Sequence, residues 1–196
     1  AKKTNYVLPT SKESPQYNIL PSQITVVGTV VRGKDYDGST NAVVQVGTVN
    51  GVYNNEVVVN ANAVFEDGNQ GANKRVTVSY SLSAVGSGKL VNYKAPTTEI
   101  KTATIRPKEI IINWTKDNFT YNGTDQSTLV QAWYLDVNGN RVELDNNLNN
   151  FIEYKADGYV VEASFKNGET NYSLPNEKTK IYHIKKAKNA ITNFVM

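Results

Sequence analysis

The sequence predicts an all-β protein of short strands joined by hairpins. Three observations carry this: an excess of β-branched residues, runs of period-two alternation, and a supply of turn residues. The 196 residues include 24 Val, 11 Ile and 18 Thr against 9 Leu, 13 Ala and 1 Met. β-branched side chains lose χ1 freedom in a helix and fit a pleated surface. The 25 Asn residues supply turns, because Asn tolerates positive φ and bonds to its own backbone.

The elements follow in order. Val76, Val78, Tyr80 and Leu82 alternate with Thr77, Ser79 and Ser81, giving one buried and one wet face. Ile110, Ile112 and Trp114 share a face, as do Tyr159, Val161, Ala163 and Phe165. Gln131–Val137, then Asn138-Gly139, then Asn140–Leu144 reads as a hairpin on a type I′ turn. Asn167-Gly168 after Phe165 reads as a second turn, and the Asn-rich Asp145–Asn150 as a loop. No segment shows a helical apolar face.

Above these elements lies a repeat. Asn5-Tyr6-Val7-Leu8-Pro9 returns as Asn92-Tyr93-Lys94-Ala95-Pro96 and again as Asn171-Tyr172-Ser173-Leu174-Pro175, at offsets of 87 and 79 residues. Tyr36-Asp37-Gly38-Ser39 returns as Tyr121-Asn122-Gly123-Thr124 at an offset of 85. Ile19-Leu20-Pro21, Ile105-Arg106-Pro107 and Ile184-Lys185-Lys186 keep the same beat. A period this long suits a string of separate sandwiches better than a solenoid coil. The expected architecture is two tandem Ig-like β-sandwich modules arranged end to end, at 21–105 and 106–185. Residues 1–20 read as the tail of a preceding repeat, and 186–196 as the start of a following one. Short joints near Pro21, Pro107 and Lys186 predict a semi-rigid, elongated monomer.

Composition excludes several chemistries. With no Cys there is no disulfide, thiol catalysis or zinc knuckle, and the single His183 rules out a multi-His metal site. No Gly-x-Ser-x-Gly motif accompanies His183. No run approaches the roughly 18 apolar residues of a membrane helix, so no membrane insertion is expected. Mean hydropathy is −0.45 and the net charge only +3. The cluster Lys178, Lys180, Lys185, Lys186 and Lys188 reads as a solvated joint, so no nucleic acid partner is expected. No cofactor is expected either.

Among candidate sites, Tyr36-Asp37-Gly38 and Tyr121-Asn122-Gly123 read as structural turns: the acid or amide caps the backbone, Gly supplies positive φ, and Tyr packs on the sandwich edge. The exchange of Asp37 for Asn122 keeps the turn and discards the charge that an acid catalyst needs. Asp35, Asp37 and Ser39, like Asp136, Asn138 and Asn140, have the oxygen spacing of a calcium loop, but Val46 and Asn147 stand where its twelfth-position acid belongs. Trp114, Trp133 and Tyr134 are the aromatic candidates for stacking on a sugar ring, with Trp133 and Tyr134 on opposite faces of one strand. Asn113, Asn118, Asn122 and Asn171 begin Asn-x-Ser/Thr triplets, which an Asn-rich chain produces by chance.

The first module resembles a bacterial YDG domain. The resemblance rests on Lys34-Asp35-Tyr36-Asp37-Gly38-Ser39-Thr40-Asn41-Ala42, Val57–Ala63, Phe65-Glu66-Asp67, Val76–Leu82 and Asn92-Tyr93. The second resembles a related MBG-type or bacterial Ig-like module through Tyr121-Asn122-Gly123-Thr124, Asp136–Asn140, Tyr159–Phe165 and Asn171-Tyr172. The resemblance implies a repeat region of an extracellular, secreted or surface-anchored bacterial protein, such as an adhesin, and supplies no ligand. The expected function is a non-catalytic stalk or spacer; the alternative is a glycan- or host-protein-binding module using end loops or exposed aromatics. Some bacterial surface Ig-like domains carry a Lys–Asn or Lys–Asp isopeptide bond, which a mass loss equal to ammonia or water would reveal.

Overall fold

The computed structural model describes residues 17–166 and 168–188. The markers at Asn5–Pro9 and the turn residue Asn167 lie outside them. The described chain is all-β, with only 3-10 turns at Leu90–Asn92 and Ser127–Leu129 besides strands. Contacts divide it into two compact units that do not follow the repeat. The first unit takes the chain up to Thr29, Val46–Ala61 and Tyr80–Thr97; the second takes Val30–Gln45, Asn62–Ser79 and the chain from Thr98 on.

In the first unit, β1 (Ser22–Gln23) runs parallel to β9 (Tyr93–Lys94), and β2 (Thr25–Val27) pairs antiparallel with β6 (Thr48–Asn50). Their core is Ile24, Val57, Val59 and Tyr93, flanked by Val26, Val46, Val49, Val52, Tyr80 and Leu82. The alternation at Val76–Leu82 is therefore real. Tyr80 and Leu82 flank this core, while Val76 and Val78, which are wholly buried, belong to the second unit.

The second unit holds β3 (Val30–Arg32), β4 (Lys34–Asp35), β5 (Asn41–Gln45) and β10 (Glu99–Arg106). The long β7 (Val57–Phe65) and β8 (Gly71–Ala84) are divided between the units. The six-stranded order is β3-β5-β7-β8-β10-β4. Its first and last strands are neighbours in sequence, so the sheet curls back on itself through Gly33. A Cβ there would lie 2.6 Å from the Thr104 carbonyl oxygen, closer than any side chain allows.

The same unit contains β11 (Lys108–Glu109) parallel to β17 (Tyr172–Ser173), and β13 (Phe119–Thr120) parallel to β19 (Ile184–Lys185). A five-stranded sheet orders β12 (Asn113–Trp114), β14 (Ala132–Leu135), β15 (Arg141–Asn146), β16 (Tyr159–Ser164) and β18 (Thr179–Tyr182). One core cluster gathers Phe119, Val130, Phe151, Tyr159, Val161, Tyr182 and Ile184; another gathers Ile110, Ala132, Tyr134, Leu144, Ala163 and Tyr172.

The repeat is written into the backbone pairing. Ser22 faces Tyr93 as Lys108 faces Tyr172, and the Ile24 and Ile110 amides donate to the carbonyls of Lys94 and Ser173. Lys34 faces Ile105 as Phe119 faces Ile184, and the Tyr36 and Tyr121 amides donate to Arg106 and Lys185. Tyr36 thus corresponds to Tyr121, and Tyr93 to Tyr172.

Two expectations need correction. Asn138-Gly139 does not form a type I′ turn, which requires positive φ at both residues. Only Gly139 is left-handed, at φ 81°, and its amide donates to the Asp136 carbonyl at 3.0 Å, the pattern of a three-residue loop. The Asp136 carboxylate sets this geometry by accepting from the amides of Asn138 and Asn140, both at 2.8 Å. The Asn-rich stretch is not all loop, because β15 continues through Asp145 and Asn146. Among the described residues the non-glycine positions at positive φ are all Asn: Asn54, Asn55 and Asn150 outside the strands, and Asn73 within β8.

Candidate functional site

The Tyr-Asx-Gly turn is the feature the repeat preserves. In the first repeat, β4 delivers Tyr36 beside β10 through the 2.8 Å bond from its amide to the Arg106 carbonyl. The Asp37 Oδ1 accepts from the Ser39 amide at 2.8 Å and hydroxyl at 2.9 Å, closing an Asx turn, and Gly38 follows at φ 76°. Lys34 Nζ, largely buried, reaches Asp37 at 2.6 Å and the Ser39 carbonyl at 2.7 Å. Desolvation pulls the Asp37 carboxyl toward neutrality, but the bonds from Lys34 and Ser39 outweigh it and hold its pKa below the usual value.

The second repeat builds the same turn without the charges. Asn122 Oδ1 accepts from the Thr124 amide at 3.0 Å and hydroxyl at 2.9 Å, and Gly123 sits at φ 79°. The place of Lys34 is taken by Phe119. The carboxylate is therefore a partner for a buried lysine, and becomes an amide where the lysine is gone.

Beside the first turn lies the tip of the β7–β8 hairpin. Buried Lys74 holds Asp67 through both carboxylate oxygens at 2.8 Å, and Asp67 accepts from the Asn69 amide at 2.8 Å. The Lys74 bond lowers the Asp67 pKa, followed by the bond from Asn69. This fixes Asn69 and Gln70.

Within its own repeat the turn lies against the hairpin tip, where a Cβ on Gly68 would stand 3.3 Å from the Gly38 and Ser39 carbonyl oxygens. Within the second unit it seats against the second repeat. The Tyr36 ring meets Tyr172 edge-on at 5.2 Å, and Tyr172 meets Tyr134 at 5.0 Å. A Cβ on Gly38 would stand 3.1 Å from Val137 Cγ2. The Gln70 amide donates to Asn171 Oδ1 at 2.8 Å, and Asn171 Nδ2 donates to Asn69 Oδ1 at 3.2 Å. The Tyr172 hydroxyl accepts from the Val137 amide at 2.9 Å, tying the seat to the β14–β15 loop. Burial raises the pKa of Tyr172 and pushes that of Tyr134 up to about 12. The two recurring markers are thus halves of one contact: the Tyr-Asp-Gly turn of one repeat against the Asn-Tyr of the next.

The other candidates are occupied otherwise. Tyr134 is core, and Trp114 is half-buried between the two clusters. Trp133 takes the opposite face of β14, where the Arg141 guanidinium lies 4.0 Å from its ring. Asp35 pairs with Arg106 at 2.8 Å. Among the described residues no group of three or more His, Asp or Glu is placed to hold a metal ion. His183 is exposed between β18 and β19. Of the lysine cluster, Lys178 pairs with Glu162, Lys180 donates to the Thr115 carbonyl, and Lys186 lies over Tyr154. Among the described residues no helix is long and apolar enough to cross a membrane.

Sequence reasoning missed Asn69, Gln70 and Val137, which belong to no repeated marker. Lys34, Asp67 and Val137 fell inside segments already noted, but without these roles. No curated protein and no solved structure matches the chain. Residues 20–100, the first repeat with its Tyr36-Asp37-Gly38 turn and its Asn92-Tyr93 marker, match the YDG domain family.

Proposed function

We propose that the chain is a pair of non-catalytic repeat modules, a YDG module followed by an MBG-type one, serving as stalk or spacer in a secreted or surface-anchored bacterial protein. The observation that carries this reading is the Tyr36–Tyr172 contact. The Tyr36 turn of the first repeat and the Asn171-Tyr172 marker of the second are spent on joining one repeat to the next. A ligand-binding motif would leave its polar groups open. Here Asp37, Ser39 and Asn171 are bonded to the protein itself. The modules are taken as 21–105 and 106–185, and the parent protein as extracellular and adhesin-like.

A glycan array and a host-cell binding assay on this chain test the reading. The spacer reading expects no saturable binding. Saturable binding lost in Trp133→Ala would replace it with the alternative, a glycan- or host-protein-binding module. The Arg141 cap over Trp133 supports the spacer, since a sugar would have to displace it.

A further inference from the structure

The seat that the second repeat offers to Tyr36 has a counterpart in the first repeat, within the first unit. Asn92 and Tyr93 occupy the places of Asn171 and Tyr172 on the matching parallel pair of strands. The Tyr93 hydroxyl accepts from the Tyr53 amide at 3.2 Å, as the Tyr172 hydroxyl accepts from Val137. Tyr53 therefore stands where Val137 stands. The surroundings differ in part: the Tyr93 hydroxyl also donates to Glu56 Oε2 at 3.1 Å, and Asn92 ends the 3-10 turn. The seat on the second repeat is filled, whereas Tyr53 is 68% exposed. With Glu56, Asn92 and Tyr93 it lines an open groove of about 610 Å³ that runs on past Ile19 and Leu20.

The complementary half is open as well. Tyr121 is 47% exposed, against the half-buried Tyr36. A Cβ on Gly123 would meet nothing within 4 Å, whereas one on Gly38 meets Val137. Among the described residues there are thus one joined turn and seat, one unfilled seat and one unfilled turn. All are built on the same backbone bonds.

We propose that the Tyr53–Asn92–Tyr93 groove is a docking surface for the Tyr-Asx-Gly turn of an upstream repeat, and that Tyr121-Asn122-Gly123 is a turn of the kind it accepts. Heterologous surfaces of this type propagate: each new repeat covers one seat and exposes one turn. The exposed Tyr53 ring offers an edge-on aromatic contact, and Asn92 offers the donor and acceptor that Asn171 uses on Asn69 and Gln70. The proposal rests on reading the chain as part of a tandem array.

The test is a two-copy chain in which Lys185 of the upstream copy is followed by Pro21 of the downstream copy. This reproduces the Arg106-Pro107 joint and keeps every described strand, since β19 ends at Lys185 and β1 begins at Ser22. The sequence has no Cys, so Tyr53→Cys in the downstream copy is a unique thiol. Docking predicts that a water-soluble thiol reagent modifies it about tenfold more slowly than in the single chain carrying the same substitution. Tyr121→Ala in the upstream copy should restore the fast rate. Val137→Cys in the single chain, accelerated by Tyr36→Ala, calibrates the measurement on the joint already formed. Equal rates in the one-copy and two-copy chains overturn the proposal. They leave the spacer reading standing, because that reading is decided by the binding assays.

Discussion

Lys34 and Phe119 occupy the same place in the two repeats, each opposite the isoleucine that ends its sheet. Around Lys34 the first repeat gathers Asp37, Ser39 and the Lys74–Asp67 pair, with the Lys34 ammonium 5.7 Å from the centre of the Phe65 ring. Around Phe119 the second repeat gathers Phe151 at 5.0 Å and Tyr182 at 5.9 Å, with Tyr159 against Phe151 at 4.7 Å. Lys74 pairs across the sheet with Ala103, and Tyr159 with Tyr182. A small residue stands opposite the lysine in one case, and in the other stand two tyrosines that both meet Phe151 edge-on. The strand pairing is held fixed while the interior changes from buried ammonium groups to aromatic packing. What the repeat conserves is therefore the frame that aims the turn, not the chemistry beneath it.

The largest expected effect separates the two interiors. Phe151 is wholly buried and touches three other rings of its cluster. Phe151→Ala should cost about 3–5 kcal/mol by leaving a cavity among them. Both tryptophans, Trp114 and Trp133, belong to the second repeat, so fluorescence-detected urea unfolding reads that repeat directly. An unchanged midpoint would show that the aromatic cluster is not what holds it.

Base should act on the same cluster. Burial pushes the pKa of Tyr182 up to about 12, as it does that of Tyr134. Both folded values lie above the model value of 10.0, which stands for the unfolded chain. The stability each neutral hydroxyl contributes is fully present below pH 10 and is lost as pH rises through about 12. Absorbance titration should show a late tyrosine step that coincides with loss of the tryptophan signal. Ionisation of all tyrosines in one step near pH 10 would break the assignment.

How much of this could be read from the sequence follows from distance along the chain. The strands with alternation were legible, because a half-buried strand announces its face every second residue: Tyr159, Val161 and Ala163 are all buried. Phe151 was not, because it follows a polar run with no period and is fixed by a loop bond, its amide to Asp125 at 2.9 Å. The markers were legible as recurrences. Their meeting was not, since Gln70 and Asn171 lie 101 residues apart and neither pattern names the other. Composition also hid the reason for Asp37 against Asn122, which depends on whether residue 34 or 119 is a cation.

That reason predicts a third outcome. Lys34→Met should destabilise the first repeat by about 1–2 kcal/mol, because the Asp37 carboxylate loses its charge-assisted bond in a half-covered site. Adding Asp37→Asn should recover part of the loss, recreating the uncharged solution of Phe119 and Asn122. The coupling is measured by a double-mutant cycle on the single and double variants. Strict additivity would mean that the two exchanges between the repeats are unrelated. The depressed Asp37 pKa gives the same pair a pH signature. Its contribution is present above the unfolded value of 3.8 and fades as pH falls through the lower folded value. In the doubly substituted chain that component of acid sensitivity should disappear.

The smallest effect compares the two turns directly. Gly38 and Gly123 have nearly the same backbone, φ 76° and φ 79°, so replacing either by Ala carries the same left-handed strain, about 1 kcal/mol. They differ only in what the new methyl meets. At Gly38 it stands 3.1 Å from Val137 Cγ2, and at Gly123 it meets open space. The difference between the two variants therefore isolates the joint from the turn. Gly38→Ala should cost a few tenths of a kcal/mol more than Gly123→Ala, as Val137 yields to the methyl. It should also speed amide exchange at Gln70, whose bond to Asn171 depends on the seat staying closed. Gly123→Ala should leave Gln70 unchanged. If both variants lose the same stability and neither alters exchange at Gln70, the turn is a local stabiliser alone. The contact between Tyr36 and Tyr172 would then not be what the repeated motif is for.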